Sequence, residues 1–165
     1  MALWGVSMGK TKLWLVIAGF MLCAQVCFAK QVSFQIIQHD DRTDKVTEQS
    51  LVIEDELIMG LFETGYIATN SPTVVSDSAS NDTVLYSKAL GDAYEGSSDY
   101  FIQVTLYYTN ALERIDWSVA SVATGNKLKE SSITGKVTVA DDKGMRIISS
   151  KLVSEISEFL KSTRA

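Results

Sequence analysis

Between Gln31 and Phe159 the spacing of apolar residues switches repeatedly between two and about 3.6 residues, and this switching constrains the fold more than any composition figure. A period of two marks a strand with one greasy side, and 3.6 marks a helix with a greasy stripe. Gln31 to Gln38 alternates, with Val32, Phe34 and Ile36 opposite Ser33 and Gln35. Thr47 to Thr64 places Leu51, Leu57, Ile58, Leu61 and Phe62 at helical spacing, and Gly65 follows as a stop. Tyr66 to Thr69 and Thr73 to Val75 read as extended around Pro72, the only proline. One bent strand, or a strand and a loop, both satisfy that pattern. Ser71 to Asp82 is rich in Ser, Asn and Asp and reads at least partly as a loop.

A second helix is expected from Asp82 to Tyr94, capped by Asn81 or Ser80, with Leu85, Ala89, Leu90 and Ala93 as its buried stripe and Gly96-Ser97-Ser98 as its end. The strongest strand signal follows. Tyr100, Ile102, Val104, Leu106 and Tyr108 alternate with Phe101, Gln103, Thr105 and Tyr107. Arg114 to Ala123 sets Ile115, Trp117 and Val119 against Asp116, Ser118 and Ala120, and Thr124-Gly125-Asn126 supplies a tight turn to a returning strand from Lys127 to Val139. Asp141-Asp142 then precedes a last helix whose stripe is Met145, Ile148, Leu152, Ile156 and Phe159. Lys161 and Arg164 stand where the helix dipole favours cations.

The expected fold is α+β: a two-layer sandwich in which a mixed sheet of about five strands carries three helices mainly on one face, in the order β-α-β-α-β-β-β-α. The first half needs crossovers and the second half supplies hairpins. Because the strands alternate and are not apolar throughout, helices are expected to cover one face only. The other face then meets water or a partner. Gln103, Thr105, Tyr107, Asp116 and Ser118 lie on it and form the candidate partner-binding surface. Tyr107 leads them, because tyrosine joins contact area and a polar tip to a low entropy cost.

The chain begins with Lys10 and Lys12 and no acid, followed by a largely apolar run from Leu13 to Ala29, the order of a secretory signal. Cleavage after Cys27-Phe28-Ala29 divides the chain into a signal peptide, 1–29, and a single α/β domain, 30–165, and implies a periplasmic or secreted location. The run ends slightly short of a spanning helix, which needs about 20 apolar residues. Lipid attachment is disfavoured, since Leu22 and Val26, not small residues, precede Cys23 and Cys27. The remaining domain has no cysteine and must be held by its core alone. Losing the leader takes the formal charge from −5 to about −7, which disfavours nucleic acid and leaves no basic handle for a membrane.

Catalytic groups are scarce. A serine or cysteine nucleophile needs a base, and the domain offers only His39 and no G-x-S-x-G segment. His39 with Asp40, Asp41 and Asp44 has metal-binding residue types, but a solvated loop explains them as well, and neither a metal site nor a cofactor is expected. Glu54 and Glu56 do not face each other on a helix and read as solvent-side charges. Asn81-Asp82-Thr83 fits a glycosylation acceptor, a pattern common by chance.

From Leu51 to Lys136, the helix ending in Gly65-Tyr66, the strand Ser98-Asp99-Tyr100-Phe101-Ile102-Gln103-Val104 and the turn Val122-Ala123-Thr124-Gly125 resemble a group of small periplasmic α/β domains. That group comprises the curli-secretion lipoprotein, the lipoprotein activator of penicillin-binding proteins and the TolB amino-terminal domain. The resemblance implies that Asp99 to Val104 is the central strand, and that the protein binds other envelope proteins and has no catalytic centre. The chain departs from the lipoprotein members in lacking a convincing attachment cysteine, and from the secretion channel in lacking membrane-inserting segments. The expected function is therefore that of an exported, non-catalytic accessory or adaptor domain with an envelope protein partner. Two other readings stand beside it: a small-ligand carrier with a pocket lined by Tyr66, Tyr86 and Trp117, and a hydrolase using carboxylates alone.

Overall fold

The computed structural model describes residues 29–138 and 141–163, so the leader and its cleavage site at residues 1–29 lie almost wholly outside the described residues. Five strands, β1 (Gln31–Asp40), β2 (Ile67–Val75), β3 (Tyr100–Tyr108), β4 (Leu112–Ser121) and β5 (Lys127–Val137), form one sheet in the order β2-β1-β3-β4-β5. β1 pairs in parallel with β2 and β3, while β3, β4 and β5 pair antiparallel. The helices are α1 (Glu48–Glu63), α2 (Ala79–Glu95) and α3 (Asp142–Ser162). The element order and the mixed sheet are those expected, and β3 is the central strand. Among the described residues no helix is long and apolar enough to cross a membrane.

The main core lies between one sheet face and α1 and α3. Val32, Phe34 and Ile36 of β1, Ile102, Val104 and Leu106 of β3, and Ile115, Trp117 and Val119 of β4 meet Ile53, Leu57 and Leu61 of α1 and Leu152, Ile156 and Leu160 of α3. Burying each such side chain stabilises the fold by about 1.5–3 kcal/mol. The expected α1 stripe is corrected here: Leu51 and Phe62 are 48% and 73% exposed, and Ile53 takes the inward position. Ile53, Leu57 and Leu61 follow the i, i+4, i+8 line that faces the sheet. Glu54 does not stand free in solvent, since it accepts from Asn70 and Thr73 and ties α1 to β2.

α2 lies on the opposite face, which corrects the expectation of helices on one side only. Its Ala89 and Ala93, with half-buried Tyr86 and Leu90, pack on Phe101 and Val122. The cause is topological. The chain steps from β1 to its neighbour β2 in one direction, then from β2 back past β1 to β3 in the other. Parallel crossovers are right-handed, so steps in opposite directions put their helices on opposite faces.

Local chemistry sets the boundaries. Thr47 caps α1 and accepts from Ser50 N. The helix closes with Gly65 at φ +85, where Gly65 N donates to Phe62 O and Tyr66 N to Leu61 O. α2 begins three residues before its expected start, with Ser78 as cap, and Ser97 takes the left-handed position at its end. β2 runs unbroken through Pro72. Its register slips there, since Gln35 faces Ser71 but Ile37 faces Val74, which is how an edge strand tolerates a residue without an N–H.

Candidate functional site

The strand pairings lay the α2-side face out as cross-strand rows. Gln35, Gln103, Ser118 and Glu130 form one row, Ile37, Thr105, Asp116 and Ser132 the next, and His39, Tyr107, Arg114 and Thr134 a third. All five expected residues, Gln103, Thr105, Tyr107, Asp116 and Ser118, therefore come together on one face. They line a shallow depression of about 540 Å³ that also takes in Asp82, Lys127, Glu130 and Ser132. α2 flanks this depression, since Asp82 of its first turn lines it while Ala89 and Ala93 pack further along on Phe101.

The face is less bare than expected. Thr105 and Ser118 are buried, and Gln103, Tyr107 and Asp116 are half-buried. The Tyr107 ring is held on both sides. His39 stacks on it at 5.0 Å between centroids and 8° between planes, and the Arg114 guanidinium lies 3.9 Å from its centroid. His39 Nε2 pairs with Asp82 Oδ2 at 2.8 Å, from the first turn of α2. Arg114 Nε lies 3.2 Å from Asp116 Oδ1, which also accepts from Ser132 Oγ at 2.7 Å. Lys127 pairs with Glu130 and sits over the Tyr86 ring, which meets Phe101 edge-on at 5.5 Å. Burial pushes the Tyr86 phenol above its ordinary range, with Lys127 opposing and Glu130 adding to that shift.

His39, Asp82 and Arg114 are the members that the sequence reading left out. Strand parity carried the signal: with Val32, Phe34 and Ile36 inward, His39 falls outward, and with Ile115 and Trp117 inward, so does Arg114.

Three acids, Asp82, Asp116 and Glu130, line the depression, and each already has a cationic or imidazole partner. The His39–Asp44 segment separates. Asp40 turns to Arg42, accepting from Nη2 and Nε at 2.8 Å, while His39 turns to Asp82. Among the described residues no three His, Cys, Asp or Glu side chains come together in a way that suits a metal ion. The pocket expected from Tyr66, Tyr86 and Trp117 does not assemble, because Tyr66 and Trp117 belong to the α1–α3 core and Tyr86 packs on the other face. Among the described residues, Gln35 Oε1, Gln103 Nε2, Asp82 Oδ1 and Tyr86 Oη are buried between α2 and the sheet without a hydrogen-bond partner.

A family model described as "Uncharacterised protein" matches residues 31–158. No curated protein matches the chain. Among solved structures, it is similar to a PelC dodecamer variant from Paraburkholderia phytofirmans, at 11% identity over 78% of this chain and 85% of that one, with a TM-score of 0.48. The LpoB C-terminal domain from Salmonella enterica is 15% identical over 73% of this chain and 93% of that one, with a TM-score of 0.41. TolB from Acinetobacter baumannii is 11% identical over 73% of this chain and 26% of that one, with a TM-score of 0.43. LpoB and TolB are of the envelope-domain group that the sequence resembles.

Proposed function

We propose that this chain, which belongs to the protein family described as "Uncharacterised protein", is an exported, non-catalytic accessory or adaptor domain of the cell envelope that binds a protein partner through its polar sheet face. Export rests on the leader-like pattern of residues 1–29, with 30–165 as the working domain. The observation that carries the partner reading is the gathering of Gln103, Thr105, Tyr107, Asp116 and Ser118 in one shallow depression on the sheet beside α2. Rigid, pre-set polar and aromatic side chains on strands suit recognition, because little entropy remains to be lost on docking. The pairing of Asp82, Asp116 and Glu130 with His39, Arg114 and Lys127 supports a non-catalytic role, since acids tied into ion pairs are poor proton carriers.

Affinity capture from a crosslinked envelope fraction tests the reading. One protein should be recovered by the parent chain and lost with Tyr107→Ala and Asp116→Lys, while Lys136→Glu, an exposed change outside the depression, should retain it. Equal recovery by all variants with native-like circular dichroism would remove this face from consideration. Amino-terminal sequencing of the exported protein should begin at Lys30; a chain starting at Met1 would defeat the export reading.

A small polar ligand is the second reading, favoured by those partnerless polar atoms of Gln35, Gln103, Asp82 and Tyr86 between α2 and the sheet. Buried polar groups without partners cost about 1–3 kcal/mol each, so a bound molecule with donors and acceptors would recover that loss. Native mass spectrometry of protein from its own cell should then show added mass that Gln103→Leu removes.

A further inference from the structure

Away from the sheet, α1 and α3 lie side by side and run the same way, as Gly60 meets Val153 and, one turn on, Thr64 Oγ1 meets Ser157 Oγ at 3.5 Å. Gly60 makes this approach feasible, because a Cβ there would fall 2.2 Å from Val153 Cγ1. The outer surface of the pair is a groove of about 550 Å³. Val52, Met59 and Val153 give it an apolar lining, and Met59 is 61% exposed. Phe62, 73% exposed, stands beside it on α1. Asp55, Glu56, Glu63 and Glu158 also line the groove, with Lys161 as the one cation in its lining among the described residues. The last turn of α1 contains no basic residue, so Glu63 adds to the negative end of the helix dipole.

We propose that this groove is a second docking site, and that its occupant is a basic amphipathic helix of a protein partner. Apolar side chains spaced i, i+3, i+4 and i+7 on that helix would enter between Val52, Met59 and Val153, and flanking lysines or arginines would meet the four carboxylates. The lined stretch from Val52 of α1 to its C-cap Thr64 spans roughly 18 Å, the length of about three helical turns. Charge decides between occupants. A second copy docked two-fold on the same surface would bring carboxylate against carboxylate in a chain of formal charge −5, and an anionic lipid surface would be repelled in the same way.

The test uses the full, isotope-labelled chain and a synthetic peptide of about 14 residues with leucine on one helical face and lysine elsewhere. Amide shifts on titration should concentrate on α1 and α3, and affinity should fall about ten-fold or more between low and physiological salt. Glu56→Lys with Glu63→Lys should weaken binding about ten-fold or more, and Glu130→Lys on the sheet face should leave it unchanged. Shifts spread over every acidic surface, or full affinity in the double variant, would overturn the proposal. So would sedimentation showing self-association that Phe62→Ala abolishes. Asp116→Lys should keep peptide binding while losing the sheet-face partner, so the two surfaces fail or hold separately.

Discussion

Asp40 and Arg42 stand two residues apart where β1 ends, and the guanidinium meets the carboxylate through Nε and Nη2 at 2.8 Å each. The Asp40 side chain is 1% exposed, yet its carboxyl is held below the ordinary range, chiefly by the Arg42 side chain and with help from the Arg42 N–H, against an opposing burial effect. A carboxyl lowered in the folded state contributes stability that is present above its unfolded value and is lost as pH falls through the lowered value. Asp40→Asn should therefore lower stability at pH 7, and its difference from the parent should shrink on acidification; urea unfolding at neutral and acid pH measures both. On the alkaline side Tyr108 behaves oppositely. Burial raises its phenol, although Ser50 and Thr47 oppose that shift, so its contribution is full below the ordinary tyrosine value and is lost as pH rises through the raised one.

At the scale of elements, the α1–α3 contact turns on one absent methyl group. Gly60→Ala should destabilise by about 1–3 kcal/mol through overpacking against Val153. Val153→Ala should relieve much of that cost, so the double variant should lose less than the two single ones together, by about 0.5 kcal/mol or more in denaturant titrations. Which face of α1 packs inward was only half legible. Its sequence carries two overlapping apolar lines, Ile53-Leu57-Leu61 and Leu51-Ile58-Phe62, and periodicity alone does not choose between them; the sheet and α3 do. Strand alternation was more informative, because a period of two leaves no intermediate direction, and all five expected site residues fell on one face. The His39–Tyr107–Arg114 row was not read because it depends on register between strands about 70 residues apart, which no local pattern encodes.

Across the whole molecule the two sheet faces are unequally covered. α1 and α3 press bulky aliphatic side chains onto one, while the fully buried contacts of α2 on the other are Ala89 and Ala93. α2 should open before the rest. Its amides are expected to exchange with deuterium well before those of β1 and β3, which are paired on both sides. Equal protection in α2 and β3 would contradict this. The placement of α2 itself was hidden in the sequence, because it follows from β3 passing β1, a long-range ordering; the series of helices and strands was visible because each announces itself over ten to twenty residues.

Pro72 lies in the outermost strand on one side, where a free row of amide donors would invite another chain to add itself and continue indefinitely. The missing donor and the extra residue beside it spoil that template. Pro72→Thr should accordingly leave the native fold intact yet shorten the lag before thread-like polymers appear, as read by a fibril-binding dye under mild heating. The lone imino acid thus serves less to shape the fold than to keep neighbouring molecules apart in the crowded compartment expected for it.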